Sequence, residues 1–107
     1  MKLVVAIVQR DDTRALADAL RTKRYPFTQT SSTEGFLRKG NATFAMGVAD
    51  EQVEPLLQLL QENCKTRTQR VYPSSPENGA GYFSEPIEVQ IGGATVFVLN
   101  SERLEKF

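Results

Sequence analysis

Residues Leu3 to Gln9 read Leu-Val-Val-Ala-Ile-Val-Gln, a nearly continuous apolar run rich in β-branched side chains. A strand that is apolar at successive rather than alternate positions needs cover on both faces, which places it at the centre of a sheet. The rest of the chain has to be arranged so as to supply that cover.

The pattern downstream fits this demand. Asp11-Asp12-Thr13 supplies capping oxygens for a helix whose apolar residues Ala15, Leu16, Ala19 and Leu20 recur at helical spacing. Basic residues from Arg21 to Arg24 suit the negative end of that helix dipole. Pro26 cannot continue a helix, so Tyr25 to Thr33 is expected to be extended. Thr43 to Val48 reads as the next strand. Glu51 to Asn63 reads as a second helix with Asp50 as N-cap, Pro55 near its first turn and an apolar stripe of Val53, Leu56, Leu57 and Leu60. Thr66 to Tyr72 is a further strand. Pro73 to Glu85, rich in Pro, Ser, Gly and Asn, reads as a long loop. Ile87 to Ile91 and Ala94 to Leu99 are strands, and Gly92-Gly93 between them is a two-residue hairpin signal. Ser101 to Phe107 is a short amphipathic tail. The order predicts an α+β, ferredoxin-like βαββαβ sandwich with an extra C-terminal hairpin strand, in a single domain over residues 1–107.

Composition removes whole classes of chemistry. With 13 basic and 13 acidic residues the formal net charge is zero, which argues against general nucleic-acid binding. No segment approaches the roughly 20 apolar residues of a membrane helix, so membrane insertion is not expected. The N-terminal run is too short for a signal peptide, and a cytoplasmic protein is expected. There is no histidine and one cysteine, Cys64, which removes most zinc sites and the histidine-based nucleophile pairs. No acid–base pair can be named among the carboxylates, so the chain is read as a non-enzyme without cofactor or metal.

The segment from Gly35 to Val48 carries the functional signal. Gly35-Phe36-Leu37 is followed by the cations Arg38 and Lys39, the turn pair Gly40-Asn41 and a strand containing Gly47. An aromatic, cations and free amides on one short loop can stack on a base and meet a phosphate. Thr28 and Thr30 can present hydroxyls near the same end of the sheet, and Gly47 within a strand suggests close backbone approach. The same loop also reads as a plain hairpin with Phe36 packed on a neighbour. Gly92-Gly93-Ala94-Thr95-Val96-Phe97 reads first as a turn, whose amides can also face a ligand.

Taken together, these residues resemble the PII-like cyclic di-AMP receptor family of the nitrogen-regulatory PII superfamily. The likeness runs from Met1-Lys2-Leu3 and Ala6-Ile7-Val8-Gln9 through Gly35-Phe36-Leu37, Gly40-Asn41, Thr43-Phe44, Gly47-Val48 and Glu62-Asn63-Cys64-Lys65 to Val89 through Leu99. The resemblance implies a compact homotrimer, one cyclic di-AMP in each cleft between subunits, no catalysis, and loops that relay binding to an unknown downstream protein. By position it implies ligand contacts from Thr28, Gly35, Phe36, Leu37, Asn41, Gly47, Gly92, Gly93 and Phe97. Two residues depart from the family pattern. Glu34 stands where a second glycine is usual, and Pro26 stands where an arginine is common. Arg24, Arg38, Lys39 and Lys106 are the candidates for the missing cation. The alternative reading is a PII-like adaptor that binds another adenine nucleotide, or none, and acts through protein contacts of the Pro73 to Glu85 loop.

Overall fold

The computed structural model describes residues 1–32, 40–71 and 87–107. The Gly35-Phe36-Leu37 segment and the Pro73 to Glu85 stretch lie outside the described residues. In chain order the elements are β1 (Lys2–Gln9), α1 (Arg10–Thr22), β2 (Thr28–Ser32), β3 (Asn41–Val48), a 3-10 turn (Asp50–Gln52), α2 (Val53–Cys64), β4 (Arg67–Val71), β5 (Ile87–Ile91) and β6 (Ala94–Asn100). This is the α+β, ferredoxin-like class expected from the sequence.

The apolar run Leu3 to Gln9 does form a central strand. The main sheet has the order β2-β3-β1-β6 and every neighbouring pair is antiparallel. Alternation on β1 and β3 sends Val4, Ala6, Val8, Ala42, Phe44, Met46 and Val48 towards the helices, where all are buried. Leu16, Ala17 and Leu20 of α1 and Leu56, Leu60 and Cys64 of α2 close this core. Ala17 is buried on α1 and Ala15 is exposed, so the stripe is turned slightly from the one expected. Phe27 adds a tilted aromatic contact to Phe44 at 5.5 Å between ring centres.

The other sheet face is only partly covered. Leu3, Val5, Ile7, Ala45, Phe97 and Leu99 line it, and Leu3, Phe97 and Leu99 are 38, 47 and 48% exposed. Leu104 of the tail folds onto this face beside Gly47: a Cβ at position 47 would lie 3.1 Å from its Cδ1. The close approach expected at Gly47 is therefore made, within one chain, by the chain's own tail.

Two local expectations are corrected. Gly92-Gly93 does not turn a hairpin. β5 pairs with β4 in a separate two-stranded ribbon, whereas β6 returns along β1, so the extra pair precedes the last sheet strand instead of following it. Both glycines have positive φ, +81° and +96°, and redirect the chain from ribbon to sheet. The amide of Gly92 donates to Gln9 Oε1 at 2.6 Å and that of Gly93 to the Cys64 carbonyl, which anchors the crossing to β1 and α2. The acidic run does not cap α1 either. Gln9 precedes the helix without a side-chain cap, and Asp12 turns inward. Asp50 likewise opens the 3-10 turn, and α2 proper starts at Val53 with Pro55 in its first turn.

The end of α1 shows why the basic run stops where it does. Tyr25 N–H donates to the Leu20 carbonyl and Arg24 N–H to that of Arg21, the paired bonds of a Schellman motif. Arg24 sits at the left-handed position, φ 62°, where glycine is usual. A side chain in that conformation costs about 1 kcal/mol. Arg24→Gly is expected to raise stability by roughly 0.5–1 kcal/mol. Chemical denaturation followed by circular dichroism checks this, and an unchanged or lower midpoint would contradict the strain.

Candidate functional site

Polar groups gather where β1 runs into α1. The register aligns Gln9 with Asn41, and Asn41 with Ser32, so β1, β2 and β3 come level here. The N–H of Arg10 donates to the Gly40 carbonyl at 2.9 Å. The Arg10 guanidinium lies directly over Gly40, and a methyl group at that position would overlap its Cζ, Nε and Nη2. Asn41 is only 6% exposed, and its Oδ1 has no hydrogen-bond partner among the described residues.

The base of the ribbon meets the same end. Arg67, the first residue of β4, grips Asp12 with both arms, Nη2 to Oδ1 at 2.7 Å and Nη1 to Oδ2 at 3.3 Å. The carboxylate is buried and the guanidinium partly exposed. Its hydrogen bond to Asp12 raises the Arg67 pKa further. Gly92 closes against this pair: a Cβ there would lie 2.5 Å from Arg67 Nη1 and 2.7 Å from the Lys65 carbonyl. No side chain fits at Gly92 while the ion pair is in place.

Six of the nine residues singled out from sequence are described. Asn41, Gly92 and Gly93 come together at this end, linked through Gln9. Thr28 and Phe97 share one row of the open face, Thr28–Ala45–Val5–Phe97, but occupy its opposite edges. Three strand spacings separate them by ~14 Å. Gly47 lies six residues along β3 from Asn41, ~20 Å away. One chain therefore does not bring these six residues to one point. Gly35, Phe36 and Leu37 belong to the segment joining Ser32 to Gly40 and lie outside the described residues.

Gln9, Arg10, Asp12 and Arg67 escaped the sequence reading. Asp12 and Arg67 are 55 positions apart, and nothing local marks them as partners. Arg10 did carry a signal, because a cation in the first turn of a helix opposes the dipole.

A groove of about 240 Å³ runs between the C-terminal half of α2 and the start of β6, floored by Leu60 and Cys64 and rimmed by Thr66 and Gly93. Burial pushes the Cys64 thiol up to about 12, with the Asp12 charge adding to the shift and Arg67 opposing it. At pH 8 about one thiol in ten thousand is then ionised. Native protein is expected to resist iodoacetamide at pH 8 and to react fully once unfolded. Rapid native alkylation, read by mass spectrometry, would contradict the burial.

The chain matches the family model described as "Cyclic-di-AMP receptor" over residues 1–107. Among solved structures it is similar to "a functionally unknown protein from Pediococcus pentosaceus ATCC 25745", with 38% identity and a TM-score of 0.79, covering 99% of this chain and 96% of the other. The match along the whole chain, on an α+β fold with two helices and six strands among the described residues, shows that the protein belongs to the cyclic-di-AMP receptor family.

Proposed function

We propose that the protein is a signal-transduction receptor that binds cyclic di-AMP in clefts between the subunits of a homotrimer and relays occupancy through its loops. The observation that carries this reading is the family match over residues 1–107. Two features of the fold support it. The open face of the main sheet presents Leu3, Phe97 and Leu99 to solvent in the isolated chain, and three sheets packed around one axis would cover them. If the β2 edge of one subunit adjoined the β6 side of the next, Thr28 and Phe97, which a single chain keeps apart, would meet in one cleft.

In this reading Phe36 stacks on one adenine, Gly35 and Leu37 line its pocket, and Thr28, Asn41, Gly47, Gly92, Gly93 and Phe97 complete the contacts. Gly47 serves the ligand only where Leu104 leaves room or moves aside. In this reading the role is binding; the chain has no histidine for acid–base work, and its one cysteine is buried with its thiol pushed up to about 12.

Titration calorimetry with cyclic di-AMP is expected to give saturable heat at one ligand per subunit, with light scattering reporting three times the 11.9 kDa chain mass. Phe36→Ala is expected to weaken binding by about 5- to 150-fold, the loss of one stacked base. Heat from another adenine nucleotide and none from cyclic di-AMP would overturn the ligand assignment. It would favour the adaptor reading, which Glu34 and Pro26 set apart from the family pattern already suggest.

A further inference from the structure

We propose that the Asp12–Arg67 ion pair is a clasp that sets the direction of the β4–β5 ribbon and, on opening, lets the ribbon leave the sheet terminus as a unit. A two-stranded ribbon is marginal on its own and needs a further strand or a helix to hold it. β4 and β5 pack on each other, and no other element among those described packs on either strand to a comparable extent. Their register runs from Arg67 opposite Ile91 at the base to Val71 opposite Ile87 at the far end. Ile87 is 56% exposed, so apolar burial does not hold that end. Residues 72–86 join the ribbon there, and the direction of the ribbon decides where that stretch is presented.

The holding contacts gather at the base. Among the described residues, Arg67 is the one side chain of β4 or β5 that hydrogen-bonds outside the ribbon. Its fork meets both carboxylate oxygens of Asp12, whose side chain is 4% exposed against 41% for Arg67. A carboxylate this deep is costly to leave without its cation, so the contact is either made or the base rearranges. Gly92, just past the end of β5, closes on the same pair: a Cβ there would lie 3.1 Å from Asp12 Oδ2. The other ties at this base come from the main chain, the Gly92 amide to Gln9 and the Gly93 amide to the Cys64 carbonyl. Both leave from glycines with positive φ, where the backbone turns with least strain. The base thus joins one specific side-chain contact to a two-glycine pivot.

The test is amide hydrogen exchange of the full chain, read by mass spectrometry, for wild type, Asp12→Asn, Arg67→Gln and the double variant. Asp18→Asn, which breaks the exposed pair with Arg21 on the same helix, is the control. Each single variant is expected to exchange at least about tenfold faster over 67–71 and 87–91, with β1, β3 and β6 within about threefold of wild type. The double variant is expected to match the faster single one, because the clasp is already open, and Asp18→Asn to stay within about twofold throughout. If a variant loses its circular dichroism spectrum, Arg67→Lys is read in its place. Lysine keeps the charge without the fork, and about threefold acceleration confined to the ribbon is then expected. Ribbon exchange within about twofold of wild type in the Asp12 and Arg67 variants would overturn the proposal, since the glycine amides alone would then hold the base. Equal acceleration of ribbon and main sheet would also overturn it, by making the pair a support of the whole fold. So would a double variant whose acceleration is the product of the two single ones, which would mean two independent supports and no clasp.

Discussion

Strand β1 is apolar on both faces, and helices α1 and α2 cover only one of them. That mismatch governs the rest of the molecule. Val4, Ala6 and Val8 are fully buried under α1 and α2, whereas Leu3 on the reverse face remains open and Val5 and Ile7 only half-covered. Side chains of this kind contribute about 1.5–3 kcal/mol each when fully buried, so leaving a row of them half-wet forfeits much of what the sheet could gain. The tail residue Leu104 recovers a small part at Gly47. In the proposed trimer, association with further copies would recover the remainder and create clefts in the same step.

Apolar surface lies at mid-sheet and polar machinery at the end. Where β1 turns into α1, Gln9 holds the Gly92 amide, Asp12 holds Arg67, and Arg10 lies on Gly40. These contacts tie the ribbon of β4 and β5 to the sheet terminus that carries Asn41. In the proposed receptor, a ligand at Asn41 would meet a framework already connected to the ribbon.

Much of the fold was legible because its signals are local. Apolar runs and helical spacing marked β1, β3 and both helices, and Pro26 marked the end of α1 before β2. The hairpin at Gly92-Gly93 was misread for an instructive reason. Two glycines between strands announce a reversal of backbone sign, and that sign suits a tight turn and a crossing between sheets equally. Only the pairing of β6 with β1 decides between them, and pairing is not a local property. Of the candidate residues, Asn41, Gly92 and Gly93 come together at one end of the sheet, and close packing restricts residue type at the two glycines. Asp12 was hidden behind its usual role as a cap, because its partner comes from β4. Thr28 and Phe97 are the reverse case: resemblance grouped them, and one chain separates them to opposite edges of a row.

A crystal structure of the protein grown with cyclic di-AMP tests the central claim most directly. The account predicts one dinucleotide between each pair of three symmetry-related subunits, touched by residues of both, with a purine against Phe36. A cleft occupied by the protein's own side chains, or a ligand enclosed by one chain alone, would contradict it.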